Sequence, residues 1–75
     1  MSTPRRFSGE ALQAAREARR LSRLQLAALA LVARQTVWNY ERGGAVPSCD
    51  VAWRLAAALR VPLGQLGERA PRELS

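Results

Sequence analysis

Seventy-five residues hold one small domain with a single core, and a hydrophobic content of 48% with only 5% aromatics means that Ala and Leu must fill it, a mixture that favours helices. Twelve basic against six acidic residues leave a net charge of +6, which suits a polyanionic partner. With no His and one Cys, Cys49, the chain can form neither an internal disulfide nor a zinc cluster nor a His-based catalytic group, so no enzyme, metal or cofactor is expected.

All twelve cations are Arg. Arg makes bidentate contacts to phosphate and guanine edges, but codon usage in a GC-rich genome replaces Lys throughout, so the choice carries little functional weight. The first residues are basic without the apolar core of a signal peptide, and the longest apolar stretch, residues 24–33, is too short for a bilayer and contains Gln25. A cytoplasmic protein with no membrane contact is the expectation.

A basic arm, residues 1–7, precedes Ser8, which stands before a first helix over residues 9–20, with Glu10 in its first turn. Ser22 and Gln25 have capping-box spacing and start a second, short helix at Arg23 that runs to Ala30, with Leu26, Leu29 and Ala30 at helical spacing. A third helix over residues 34–42 carries Val37 and Tyr40 on one face and stops at Gly43-Gly44, and Val32 is placed to staple onto Val37. Ser48 caps a fourth, whose buried side is Ala52, Leu55, Ala56 and Leu59 and which Pro62 ends. Pro62 then opens a last helical turn to Leu66, and residues 67–75 form a polar tail. The expected fold class is all-α, five short helices in a domain over residues 8–66, with no alternating strand pattern and no internal repeat.

The block Leu26-Ala27, Val32, Val37, Tyr40-Glu41-Arg42-Gly43 and Pro47-Ser48 resembles the Cro and phage-repressor type of helix-turn-helix, the XRE family, without a gap over residues 7–66, about four fifths of the chain. The resemblance implies a lambda-repressor-like DNA-binding domain. Ala27 is small enough for the second and third helices to approach across a tight turn, and Leu26, Val32, Val37 and Tyr40 form core between them. Glu41 sits where the helix dipole disfavours a carboxylate and so needs a partner; the resemblance supplies Arg16 as a structural ion pair.

On the third helix Arg34, Gln35, Trp38 and Asn39 remain for the outside. Arg donates twice to guanine, Gln and Asn pair with adenine, and a Trp face packs on a thymine methyl or a sugar. By resemblance Arg34, Gln35 and Asn39 occupy base-contacting positions, and Arg23 and Thr36 backbone-contacting ones. Arg42 is a phosphate contact or simply solvated, and Arg5 and Arg6 add phosphate contacts or do nothing specific.

The pattern departs from the family in three places. Arg20 and Leu31 stand where similar proteins place Gly in a left-handed conformation, at a cost of roughly 1–2 kcal/mol each. Ala33 replaces the usual Ser or Thr cap of the third helix, a loss of about 0.5–2 kcal/mol. Leu24, Ala28 and Leu31 make an apolar stripe on a normally polar face, which is either a partner surface or ordinary Ala and Leu enrichment.

The function expected is sequence-specific binding of double-stranded DNA by residues 34–42 in the major groove, as a transcriptional regulator, a repressor rather than an activator. A homodimer would carry the two recognition helices, with Leu63, Leu66 and residues 43–46 as its surface. The alternative is an antitoxin or accessory interaction module whose main partner is a protein held through Leu24, Ala28 and Leu31.

Overall fold

The computed structural model describes residues 7–67; Arg5 and Arg6 of the basic arm, and residues 68–75 of the tail, lie outside the described residues. Four α-helices follow one another, α1 (Gly9–Ala18), α2 (Arg23–Ala30), α3 (Arg34–Arg42) and α4 (Cys49–Leu59), then a 3-10 turn over Leu63–Leu66. The fold is all-α, with four α-helices where five were expected. The fifth element is one turn long, and Gly67 leaves it in an extended conformation to bridge Phe7, so no α-helical hydrogen-bond ladder can propagate.

Each helix start follows from its local sequence. Ser8 and Ser48 accept from the N–H groups of Ala11 and Val51, and Ser22 and Gln25 satisfy each other's N–H groups as a complete capping box. Only α3 begins without a side-chain cap, because Ala33 has the extended backbone of a cap residue but no oxygen to offer.

The helix ends share one geometry. In α1 the N–H of Leu21 bonds Arg16 O and that of Arg20 bonds Glu17 O; Val32 and Leu31, Gly44 and Gly43, and Val61 and Arg60 repeat this pair at the ends of α2, α3 and α4. These are Schellman caps, which require one left-handed residue each. Gly43 supplies it at α3, whereas Arg20, Leu31 and Arg60 do so elsewhere, with φ of 59°, 62° and 60°. The turns therefore keep their shape despite the missing glycines, and α1 stops at Ala18 rather than at Arg20. What holds these strained caps is the next residue: Leu21, Val32 and Val61 are partly buried against the core, the apolar contact that accompanies the motif.

Leu12, Leu26, Val37, Leu55, Leu59 and Leu66 are fully buried, and Ala15, Ala27, Ala30, Ala56 and Tyr40 fill the space between them. Each large side chain contributes about 1.5–3 kcal/mol of burial. Leu29 does not join them. The buried face of α2 is set by Leu26, Ala27 and Ala30, which leaves Leu29 on the flank and 58% exposed. Leu66, expected at a dimer surface, is instead enclosed within its own chain, where it locks the last turn onto α1 and α4. Gly9 allows a close crossing: an added Cβ would overlap the carbonyl oxygens of Tyr40 and Glu41, the latter at 2.6 Å. Beside it, Phe7 packs edge-on against Tyr40 with ring centroids 6.0 Å apart, and Ser8 N–H bonds Leu66 O at 2.8 Å. These contacts pin the C-terminal end of α3, and with it the direction in which α3 points.

Candidate nucleic-acid interface

The side of α3 that faces inward is made by Val37, Tyr40 and Glu41. At 100° per residue, Arg34, Gln35, Trp38, Asn39 and Arg42 then share an outward arc of about 140°, with Gln35 nearly opposite the core. Arg34, Gln35, Trp38 and Arg42 are exposed, while Asn39 and Thr36 are half-buried. A core-locked helix thus presents guanidinium and amide groups to solvent along its length.

Glu41 anchors this helix to its neighbours. Its side chain is 1% exposed, and Arg16 approaches it with Nε 2.7 Å from Oε2 and Nη2 3.2 Å from Oε1. A second guanidinium, from Arg23 at the start of α2, donates through Nε to Oε1 at 2.9 Å. Arg16 also donates to Leu21 O at 2.9 Å, tying the α1–α2 turn into the same network. Two charge-assisted partners thus meet a buried carboxylate at the unfavourable end of a helix dipole, and one of them comes from the helix that precedes the turn. Arg23, read from sequence as a backbone contact alone, is also structural: its Nε is committed to Glu41, while its side chain is 40% exposed and its terminal nitrogens bond no carboxylate among the described residues.

Between the start of α2 and the start of α3 lies an open cleft of about 560 Å³, lined by Arg16, Arg23, Leu24, Arg34, Gln35 and Trp38. The fold brings Arg23, Arg34, Gln35 and Trp38 together there. Asn39, Thr36 and Arg42 lie outside it, further along or around α3. Trp38 is only 37% exposed and carries the Arg42 guanidinium 4.4 Å over its ring, one helical turn on. The stack is worth about 0.5–1 kcal/mol at such a site and gives Arg42 a defined place on the outward face. The tryptophan that is conspicuously bare is Trp53 on α4, 60% exposed, which lies off the buried Leu55, Ala56 and Leu59 face. The stripe Leu24, Ala28 and Leu31 is exposed along its whole length, and Val46 beside Gly44 is exposed as well. Among the described residues there is no cluster of metal-ligating side chains, and no helix is long and apolar enough to cross a membrane.

A helix fixed on one side, polar on the other and set across a three-residue turn from a capped helix start is the arrangement of a helix-turn-helix module. The family described as helix-turn-helix (HTH_3) matches residues 12–66. Three solved structures resemble the chain. The restriction-modification controller protein C.AhdI from Aeromonas hydrophila is 34% identical with a TM-score of 0.75, over 77% of this chain and 88% of that one. An HTH_3 family transcriptional regulator from Vibrio cholerae is 26% identical with a TM-score of 0.73, over 77% of this chain and 33% of that one. A structure titled CoII HppE in complex with substrate is 28% identical with a TM-score of 0.76, over 89% of this chain but 38% of that one. No curated protein matches the chain. The chain belongs to the helix-turn-helix family, in its XRE-type branch.

Proposed function

We propose that the protein binds double-stranded DNA with α3 in the major groove and acts as a transcriptional regulator, more specifically a repressor, in the cytoplasm. The observation that carries this reading is the outward arc of α3, where Arg34, Gln35, Trp38 and Asn39 project from a helix whose inner face is held by Val37, Tyr40 and the Arg16–Glu41–Arg23 network. Those side chains have the donors and acceptors that discriminate base edges, and a rigid helix presents them at fixed spacing. Arg23, Thr36 and Arg42 flank the arc and supply phosphate contacts. Similarity to a protein named as a restriction-modification controller and to one named as a transcriptional regulator supports regulation rather than catalysis.

A single module of this size binds weakly, so the protein acts as a homodimer on a two-fold site with its recognition helices about 34 Å apart. Of the expected dimer surface, Gly43, Gly44 and Val46 are exposed and remain available, while Ala45 packs partly against the core. Exposure of Leu24, Ala28 and Leu31 also favours a protein partner on α2, as an antitoxin or accessory module would have. Selection of duplexes from a random pool tests the main reading. A defined, two-fold preferred site is the expected result, and recovery of unrelated sequences with equal affinity would remove it.

A further inference from the structure

We infer that a second cleft, on the flank of α2 turned away from α3, docks an acidic amphipathic segment of a partner protein. The cleft has a volume of about 530 Å³; Leu29, Ala57 and Ala58 supply an apolar floor, and Arg19, Arg20 and Arg60 a cationic rim. It shares no lining residue with the cleft between α2 and α3. Leu24 borders the one and Leu29 the other; five positions along a helix turn through about 140°, so the two clefts open on different sides of α2.

The chemistry of the cleft selects its occupant. Among the described residues the ion pairs are made by Arg16, Arg23 and Arg54, and Arg19, Arg20 and Arg60 take part in none of them. Duplex DNA would satisfy the three guanidinium groups but offers only isolated methyl and sugar groups, not a continuous apolar face, to lay on the exposed Leu29 and the alanine methyls. A helix with leucines on one face and carboxylates beside them satisfies both. The described part of a second copy does not match: of its carboxylates Glu41 is buried, Asp50 is held by Arg54 and Glu17 by Gln13, which leaves Glu10 and no acidic strip. The occupant that fits both floor and rim is a different, acidic protein, and it sits clear of the face proposed for DNA.

The test needs no DNA, so its outcome stands apart from that of the DNA-binding reading. The full chain, labelled with 15N, is titrated with a synthetic amphipathic helix of about 15 residues, with leucine along one face and glutamate flanking it on both sides, the length at which an isolated helix begins to hold. Shifts are expected at Leu29, Ala57 and Ala58. Arg20 and Arg60 have left-handed backbones that suit glycine, so the double variant Arg20→Gly, Arg60→Gly should melt no lower than the parent. It should bind the peptide about tenfold more weakly, the scale of losing two rim charges, and so should the parent with a peptide carrying glutamine in place of glutamate. Equal affinity for the glutamine peptide, an unweakened double variant, shifts confined to α3, or no binding at all would each overturn the proposal.

Discussion

Glu41 shows how one side chain links stability to orientation. It is a carboxylate with 1% exposure; removing it strands the buried Arg16 guanidinium, and removing Arg16 leaves it with only the half-exposed Arg23 as a partner. Glu41→Ala and Arg16→Ala should each lower stability by about 3–5 kcal/mol, measured by chemical denaturation. Arg23→Ala should cost less, because Arg23 is 40% exposed and its charge can be solvated. Equal, small effects for all three would mean that the network is screened by solvent.

The outward residues of α3 lend themselves to a different measurement. Arg34→Ala, Gln35→Ala and Asn39→Ala should each weaken binding to the selected site by about 1–3 kcal/mol while barely changing affinity for random duplex. Thr36→Ala and Arg42→Ala should weaken all duplexes alike, as phosphate contacts do. Melting curves of each variant must match the parent, since Arg42 also stacks on Trp38. A uniform loss from the first group would show that α3 attracts DNA without reading it.

At the scale of the element, the helix ends are where the chain is least optimised. Ala33 has φ −77° and ψ 151°, the backbone of a cap residue, and contributes no side-chain bond. Ala33→Ser should gain about 1 kcal/mol and raise the melting temperature by roughly 4–8 °C, the usual scale for a domain of this size. Leu31 is 75% exposed and left-handed at φ 62°, so its side chain contributes little burial in return for the strain. Leu31→Gly should therefore stabilise as well, by about 0.5–1 kcal/mol, in the same thermal scan. The opposite holds at Gly9, where Gly9→Ala would push α1 away from the end of α3 and should lower the melting temperature.

Across the whole molecule, the proposed function assigns the strength of attraction to charge and its selectivity to α3. A net charge of +6 on 75 residues predicts a steep fall of DNA affinity with salt. A log–log slope of about −3 or steeper corresponds to three or more neutralised phosphates, and Arg42→Ala should make it shallower by about one contact. A flat plot would separate the charge from the function altogether.

Local chemistry was legible in the sequence because it acts over a few residues. Ser8, Ser22 with Gln25, and Ser48 mark the helix starts, Gly43 and Pro62 mark ends, and the spacing of Val37 and Tyr40 leaves Arg34, Gln35, Trp38 and Asn39 for the outside of α3. The need of Glu41 for a cation was also visible, from its position in the helix dipole. Tertiary structure alone decided the rest. That Arg23 shares Glu41 with Arg16, that Gly9 lies against the end of α3, that Leu29 is bare while Leu66 is enclosed, and that Arg20, Leu31 and Arg60 hold left-handed caps all depend on what lies across the fold. Helical periodicity says which side chains share a face, but an eight-residue helix rich in Ala and Leu has more than one apolar face. Only the approach of α1, α3 and α4 determines which of them is buried.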